Sequence, residues 1–120
     1  MIILTHIGNQ YPKYIDDCLS QIRINNPDID VVLICNKKCS IPESVLSKNN
    51  IEKYYIEDLP NKKLLSYTQD NYDCDIDYGG GKYWSVTKAR LFYLYEFTKK
   101  HEIDKYYYFE NDILLYESIE

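Results

Sequence analysis

Residues 30 to 36, Asp-Val-Val-Leu-Ile-Cys-Asn, form an unbroken apolar run between polar ends. A strand with no polar alternation is covered on both faces, and this condition is met by a parallel sheet sandwiched between helices. A second such run, Ile2 to His6, ends at Ile7-Gly8-Asn9 and reads as another buried strand followed by a loop. Between them Ile15, Cys18, Leu19 and Ile22 recur at helical spacing after Pro12, and Asn25-Asn26-Pro27 closes the pattern. Strand, helix and strand within about 35 residues make a right-handed βαβ unit, so the two strands are expected side by side and parallel.

The rest of the chain extends this plan. Pro42 starts a short helix over Ile41 to Asn49, and Ile51 to Ile56 reads as a third strand. From Glu57 to Gly81 the periodicity fails, which predicts a long loop with one helical turn around Leu64; such a loop within a compact domain is functional or disordered. Trp84 to Lys100 is the strongest helical segment. Tyr106 to Phe109 follows as a strand, then Glu110-Asn111-Asp112, then Ile113 to Tyr116 as a further short strand. The 120 residues suffice for one core and not for two. The expectation is a single α/β domain, with a Rossmann-like, mostly parallel sheet and flanking helices.

Charge narrows the partners. Lys and Arg total 14 against 19 for Asp and Glu, a net charge of −5, so the electrostatic footprint of a nucleic-acid binder is missing. A phosphorylated ligand would have to be held by a metal ion or by a few placed cations. The opening Met-Ile-Ile-Leu-Thr-His-Ile has no basic leader, and no run approaches the roughly 20 apolar residues of a membrane span, so the chain reads as cytoplasmic. Cys18, Cys35, Cys39 and Cys74 include no Cys-x-x-Cys pair, and His6 and His101 stand far apart, which argues against structural zinc and for reduced, mostly buried thiols.

Three features can carry chemistry. Glu110-Asn111-Asp112 interrupts two apolar runs at the carboxyl end of a predicted strand. Carboxylates on alternate residues of an extended segment point the same way, so Glu110 and Asp112 are placed to share a hard cation or a set of sugar hydroxyls, or else form a polar turn. Arg90, one of only two arginines, falls inside the apolar stripe of its helix, at about 40° from Val86, with Phe97 at about 20° and Leu94 at about 80°. A guanidinium facing the core requires an anion, which Glu110, Asp112 or a ligand phosphate would supply. The segment Gly79-Gly80-Gly81-Lys82 opens the same helix, where glycines allow close backbone approach and Lys82 adds a flexible cation, although the spacing of a P-loop is absent. Thr5, His6 and Asn36 end the first two strands, where a doubly wound sheet meets a nucleotide.

The segment Tyr83-Trp84-Ser85-Val86-Thr87-Lys88-Ala89-Arg90-Leu91-Phe92-Tyr93-Leu94-Tyr95, followed after a helix length by Tyr107-Tyr108-Phe109-Glu110-Asn111-Asp112-Ile113-Leu114-Leu115-Tyr116, resembles nucleotide-sugar-dependent glycosyltransferases of the GT-A fold. In that superfamily a strand leads into an acid-x-acid motif that holds Mn²⁺ or Mg²⁺ and the ribose and diphosphate of the donor. The resemblance implies Asp112 as a metal ligand and Glu110, in place of the usual first Asp, as a second ligand or ribose contact. It further implies Arg90 and Lys82 facing the diphosphate of a nucleoside diphosphate sugar, with Thr5, His6 and Asn36 lining the nucleotide pocket. The function so implied is metal-assisted transfer of a hexose-like sugar to an unidentified acceptor.

Enzymes of this type place the acceptor site after the acid-x-acid motif, and eight residues follow Asp112 here. The resemblance therefore leads us to expect the amino-terminal, donor-binding part of a larger enzyme, or a site completed by a further domain or chain. A non-catalytic nucleotide-sugar-binding or assembly module is the alternative from a different class. A phosphotransfer receiver fits less well, because it needs an acidic cluster where this chain has Thr5-His6-Ile7.

Overall fold

The computed structural model describes residues 1–60 and 81–119, with side chains from residue 86 onward in the helix that opens the second stretch. The elements in chain order are β1 (Ile2–His6), α1 (Tyr14–Asn25), β2 (Val31–Cys35), α2 (Glu43–Lys48), β3 (Ile51–Tyr55), a 3-10 turn (Ile56–Asp58), α3 (Gly81–Lys100) and β4 (Tyr107–Glu110). The strands form one sheet in the order β3-β2-β1-β4, with every pairing parallel. The α/β expectation is met, and the Rossmann-like arrangement follows from helices on both sheet faces.

Each face has its own core, and the alternation of the strands assigns the residues. Ile2 and Leu4 of β1 and Val31, Leu33 and Cys35 of β2 pack with Ile15, Cys18, Leu19 and Ile22 of α1 and Leu46 of α2. Ile3, Val32 and Ile34 face the other way, against Ala89, Tyr93, Leu94 and Phe97 of α3. All five residues of β2 are buried, so its unbroken apolar run is the direct result of covering on both sides. Each such side chain stabilises the fold by about 1.5 to 3 kcal/mol through burial. Strand β3 lies at an edge, where Glu52 and Lys53 are tolerated and discourage further strand pairing.

Arg23 locks the carboxyl end of α1. Its Nε donates to Asn49 O at 2.8 Å, Nη2 to Asn50 O at 3.0 Å, and Nη1 to the carbonyls of Asn26, Pro27 and Ile29 at 3.1, 2.7 and 2.9 Å. One planar guanidinium thus ties the turn after α1 to the turn between α2 and β3, a geometry that a lysine ammonium does not reproduce.

One sequence expectation is corrected. Ile113 to Tyr116 is not a strand. The chain after β4 crosses to the α1 face, where Leu115 O accepts from Asn25 Nδ2 at 2.6 Å and Ile119 N donates to Asn26 Oδ1 at 3.0 Å. Leu115 and Ile119 pack against the core on that side, so the apolar residues are satisfied by a helix face and the polar backbone by two asparagines. The expected helical turn around Leu64 lies outside the described residues.

Candidate functional site

The order β3-β2-β1-β4 creates a switch point. From β1 the chain runs through α1 to β2 over one face, and it reaches β4 through α3 over the other. At the carboxyl ends of β1 and β4 the two connections diverge, and in open parallel sheets this is where a crevice accepts ligands. His6 ends β1, Glu110 ends β4, and Thr5 and Glu110 are register partners.

Asn111 joins the two strand ends. It is 7% exposed, and its Nδ2 donates one hydrogen to Thr5 O and the other to His6 Nδ1, both at 3.0 Å. His6 Nε2 in turn donates to Gln10 O at 2.8 Å, which makes Nδ1 the acceptor and places the imidazole in its neutral Nε2–H tautomer. Burial lowers the His6 pKa from its ordinary 6.5; the Gln10 carbonyl opposes the shift and the Arg90 charge adds to it. His6 therefore clips the β1–α1 loop to the turn after β4. Sequence reasoning missed Asn111 because the middle residue of an acid-x-acid triplet carries no charge to attract attention.

Arg90 and Glu110 form an ion pair, so Glu110 is the anion that an arginine in an apolar stripe requires. The Arg90 side chain is 18% exposed and that of Glu110 is 47% exposed, which puts the guanidinium at the bottom of the pair and the carboxylate at its mouth. Asp112 behaves differently. Strand β4 ends at Glu110, and Asn111-Asp112 make a turn, so strand alternation no longer governs where the second acid goes. Asp112 is exposed and close enough to α1 that its charge, after burial, helps push the Cys18 thiol up to about 11. The two carboxylates thus engage different surroundings: α3 at Glu110 and α1 at Asp112.

The remaining candidates divide. Thr5 Oγ1 is buried and hydrogen-bonded to Tyr108 OH at 3.0 Å, which commits it to the fold. Asn36, 1% exposed at the end of β2, accepts from Gly8 N at 2.8 Å through Oδ1, while its Nδ2 hydrogen-bonds to no described residue. A buried amide donor beside the β1–α1 loop with no acceptor among the described residues is a group that a ligand or ordered water can satisfy. The side chain of Lys82, and Gly79 and Gly80 before it, lie outside the described residues. Among the described residues no group of three or more His, Cys, Asp or Glu is arranged to hold a metal ion. The oxygens of Glu110 and Asp112 are nonetheless the donor type that Mg²⁺ and Mn²⁺ take, and Mg²⁺ sites commonly use one or two carboxylates with ligand phosphates completing the shell.

No family model, curated protein or solved structure matches this chain.

Proposed function

We propose that this chain is the donor-binding portion of a GT-A-type glycosyltransferase that takes a nucleoside diphosphate sugar at the carboxyl ends of β1, β2 and β4. The observation that supports it is the gathering of His6, Arg90, Glu110 and Asn111 at one switch point, with Asp112 next in the chain on the α1 side and the Asn36 amide, unmet by any described residue, one strand away. In this reading Asn36 donates to the nucleotide, and Asn111 and His6 hold the β1–α1 loop that forms the pocket floor. Asp112, with Glu110 as the second oxygen ligand, would hold Mn²⁺ or Mg²⁺, whose chemistry there would be Lewis-acid stabilisation of charge on the leaving diphosphate. Arg90, ion-paired with Glu110 at the mouth of this site, would present its planar fork to phosphate oxygens. Acceptor binding would come from a further domain or chain.

The test is thermal denaturation with Mn²⁺ and a panel of uridine and guanosine diphosphate sugars. The reading expects a rise in melting temperature with one donor and metal together, and its loss in Asp112→Asn. Absence of any shift across the panel would overturn it. Slow release of free sugar from the donor separates a transferase, which leaks to water, from a binding module, which does not.

A further inference from the structure

The two outer edges of the sheet are built differently. Strand β3 carries Glu52 and Lys53, charges that oppose the approach of another strand. Strand β4 lies in the run Tyr106-Tyr107-Tyr108-Phe109, which has no charge before Glu110. Tyr107 N donates to Met1 O at 3.0 Å, and in a parallel ladder alternate residues turn both backbone polar groups to the same neighbour. Tyr107 and Phe109 therefore bond β1, while the N–H and C=O groups of Tyr106, Tyr108 and Glu110 point away from it. Among the described residues no strand pairs with that side. Tyr106 and Tyr107 are 39% and 45% exposed, and the Tyr107 and Phe109 rings lie parallel with centres 6.5 Å apart. A row of unpaired backbone groups among aromatic residues of high β-propensity is a template for a further strand.

We propose that this edge is an interface between two copies of the chain, which pair antiparallel through β4 about a two-fold axis at Tyr108 and join their sheets into one. The unmet groups call for an extended backbone, and the register is self-complementary. Residues opposed in an antiparallel pair exchange both hydrogen bonds or neither, so Tyr108 faces its own counterpart, Tyr106 faces Glu110, and Tyr107 faces Phe109. About six backbone hydrogen bonds then close. The Tyr106 hydroxyl stands across from the Glu110 carboxylate, and the Tyr107–Phe109 pairs take the non-hydrogen-bonded positions, where side chains come closest. Moving the axis to Tyr107 sets Glu110 against Asp104, and moving it to Phe109 needs Asn111-Asp112 as strand, where the chain turns. Charge agrees with the Tyr108 axis: Lys105 of the second copy arrives beside Glu110-Asn111-Asp112 of the first, so each acidic end of β4 meets a cation. Asp104 would fall opposite Asp112 only if the strand continued, and Asp112 has left its line towards α1. Because the β3 edge carries charges, assembly closes at two copies.

Sedimentation equilibrium of the full chain, with amide hydrogen exchange, tests this. The expected result is a dimer at about 100 μM chain, in which the Tyr108 amide exchanges at least about tenfold more slowly than in the diluted monomer. Tyr106→Glu sets a carboxylate against Glu110 on both sides of the axis, so it should weaken dimerisation by about tenfold and release the Tyr108 amide. Tyr106→Arg places the opposite charge at the same exposed position and should dimerise at least as tightly as the native chain, which separates a broken interface from a broken fold. A chain still monomeric at about 100 μM overturns the proposal, since the edge would then belong to a strand from elsewhere. A dimer whose Tyr108 amide stays unprotected, one that tolerates Tyr106→Glu, or one that Tyr106→Arg dissolves overturns it as well. Donor-induced melting shifts do not enter this readout, so the two proposals stand or fall separately.

Discussion

Asn111 donates to His6 Nδ1 from the far side of the β1–β4 crevice, and the same amide nitrogen holds Thr5 O, both at 3.0 Å. Replacing Asn111 by Ala leaves a buried carbonyl and a buried imidazole nitrogen without a donor. The expected cost is about 2 kcal/mol, read by urea denaturation. Asn111→Asp should act differently, because a carboxylate beside Nδ1 draws a proton onto the ring; an upward shift of the His6 titration by NMR checks it.

The depressed pKa of His6 sets the acid side of the stability profile. The unfolded chain takes up a proton near 6.5, and the folded chain resists doing so, so the unfolded state binds more protons as pH falls below that value. This contribution is fully present above 6.5 and is lost as pH falls through the folded pKa. Unfolding free energies measured at pH steps from neutral to about 5 should decline in the native chain and decline less in His6→Gln. A flat native profile would falsify burial as the force that holds the His6 ring neutral.

Thiols govern the alkaline side. Burial raises Cys35 to about 12 and, with the Asp112 charge, Cys18 to about 11, from an ordinary 9.0. The unfolded thiols lose protons first, so stability is whole below 9.0 and erodes as pH rises towards the folded values. Because the thiolate is the nucleophile, Cys18 and Cys35 should resist alkylation at neutral pH until denaturant is added, as peptide mass spectrometry of iodoacetamide-treated protein would reveal.

Five carbonyls depend on Arg23. Arg23→Lys keeps the charge but cannot span them, and it should destabilise the chain by about 2 to 3 kcal/mol without altering donor-induced melting shifts. A cost below about 0.5 kcal/mol would mean that water replaces the guanidinium freely.

Arg90 separates structure from ligand binding. In Arg90→Met an apolar side chain of similar length occupies the helix stripe and Glu110, half exposed, is left to solvent. Stability should change by no more than about 1 kcal/mol, since an ion pair of this exposure contributes little net. Under the proposed function the same variant loses the melting shift given by a nucleoside diphosphate sugar with Mn²⁺. Retention of that shift would remove Arg90 from the ligand site.

Local pattern determined the first three strands of this protein and the helices that cover them. The unbroken apolar run at β2, the spacing of Ile15, Cys18, Leu19 and Ile22, and the placement of Arg90 within an apolar stripe each follow from how strands and helices present side chains, so they were legible before any coordinates. Even the need for an anion at Arg90 was readable, because the cost of burying an unpaired charge does not depend on the fold. Tertiary structure alone decided which acid answers it. Strand register carries Glu110 to Arg90, while the turn at Asn111 releases Asp112 towards α1, and a break in periodicity of one residue leaves no trace in an apolar pattern. The same holds for Ile113 to Tyr116: its apolar character suits a strand, but its partners are Asn25 and the α1 core, chosen by where the chain crosses the sheet. Sequence spacing determines what a segment can bury; only the packed sheet determines against what.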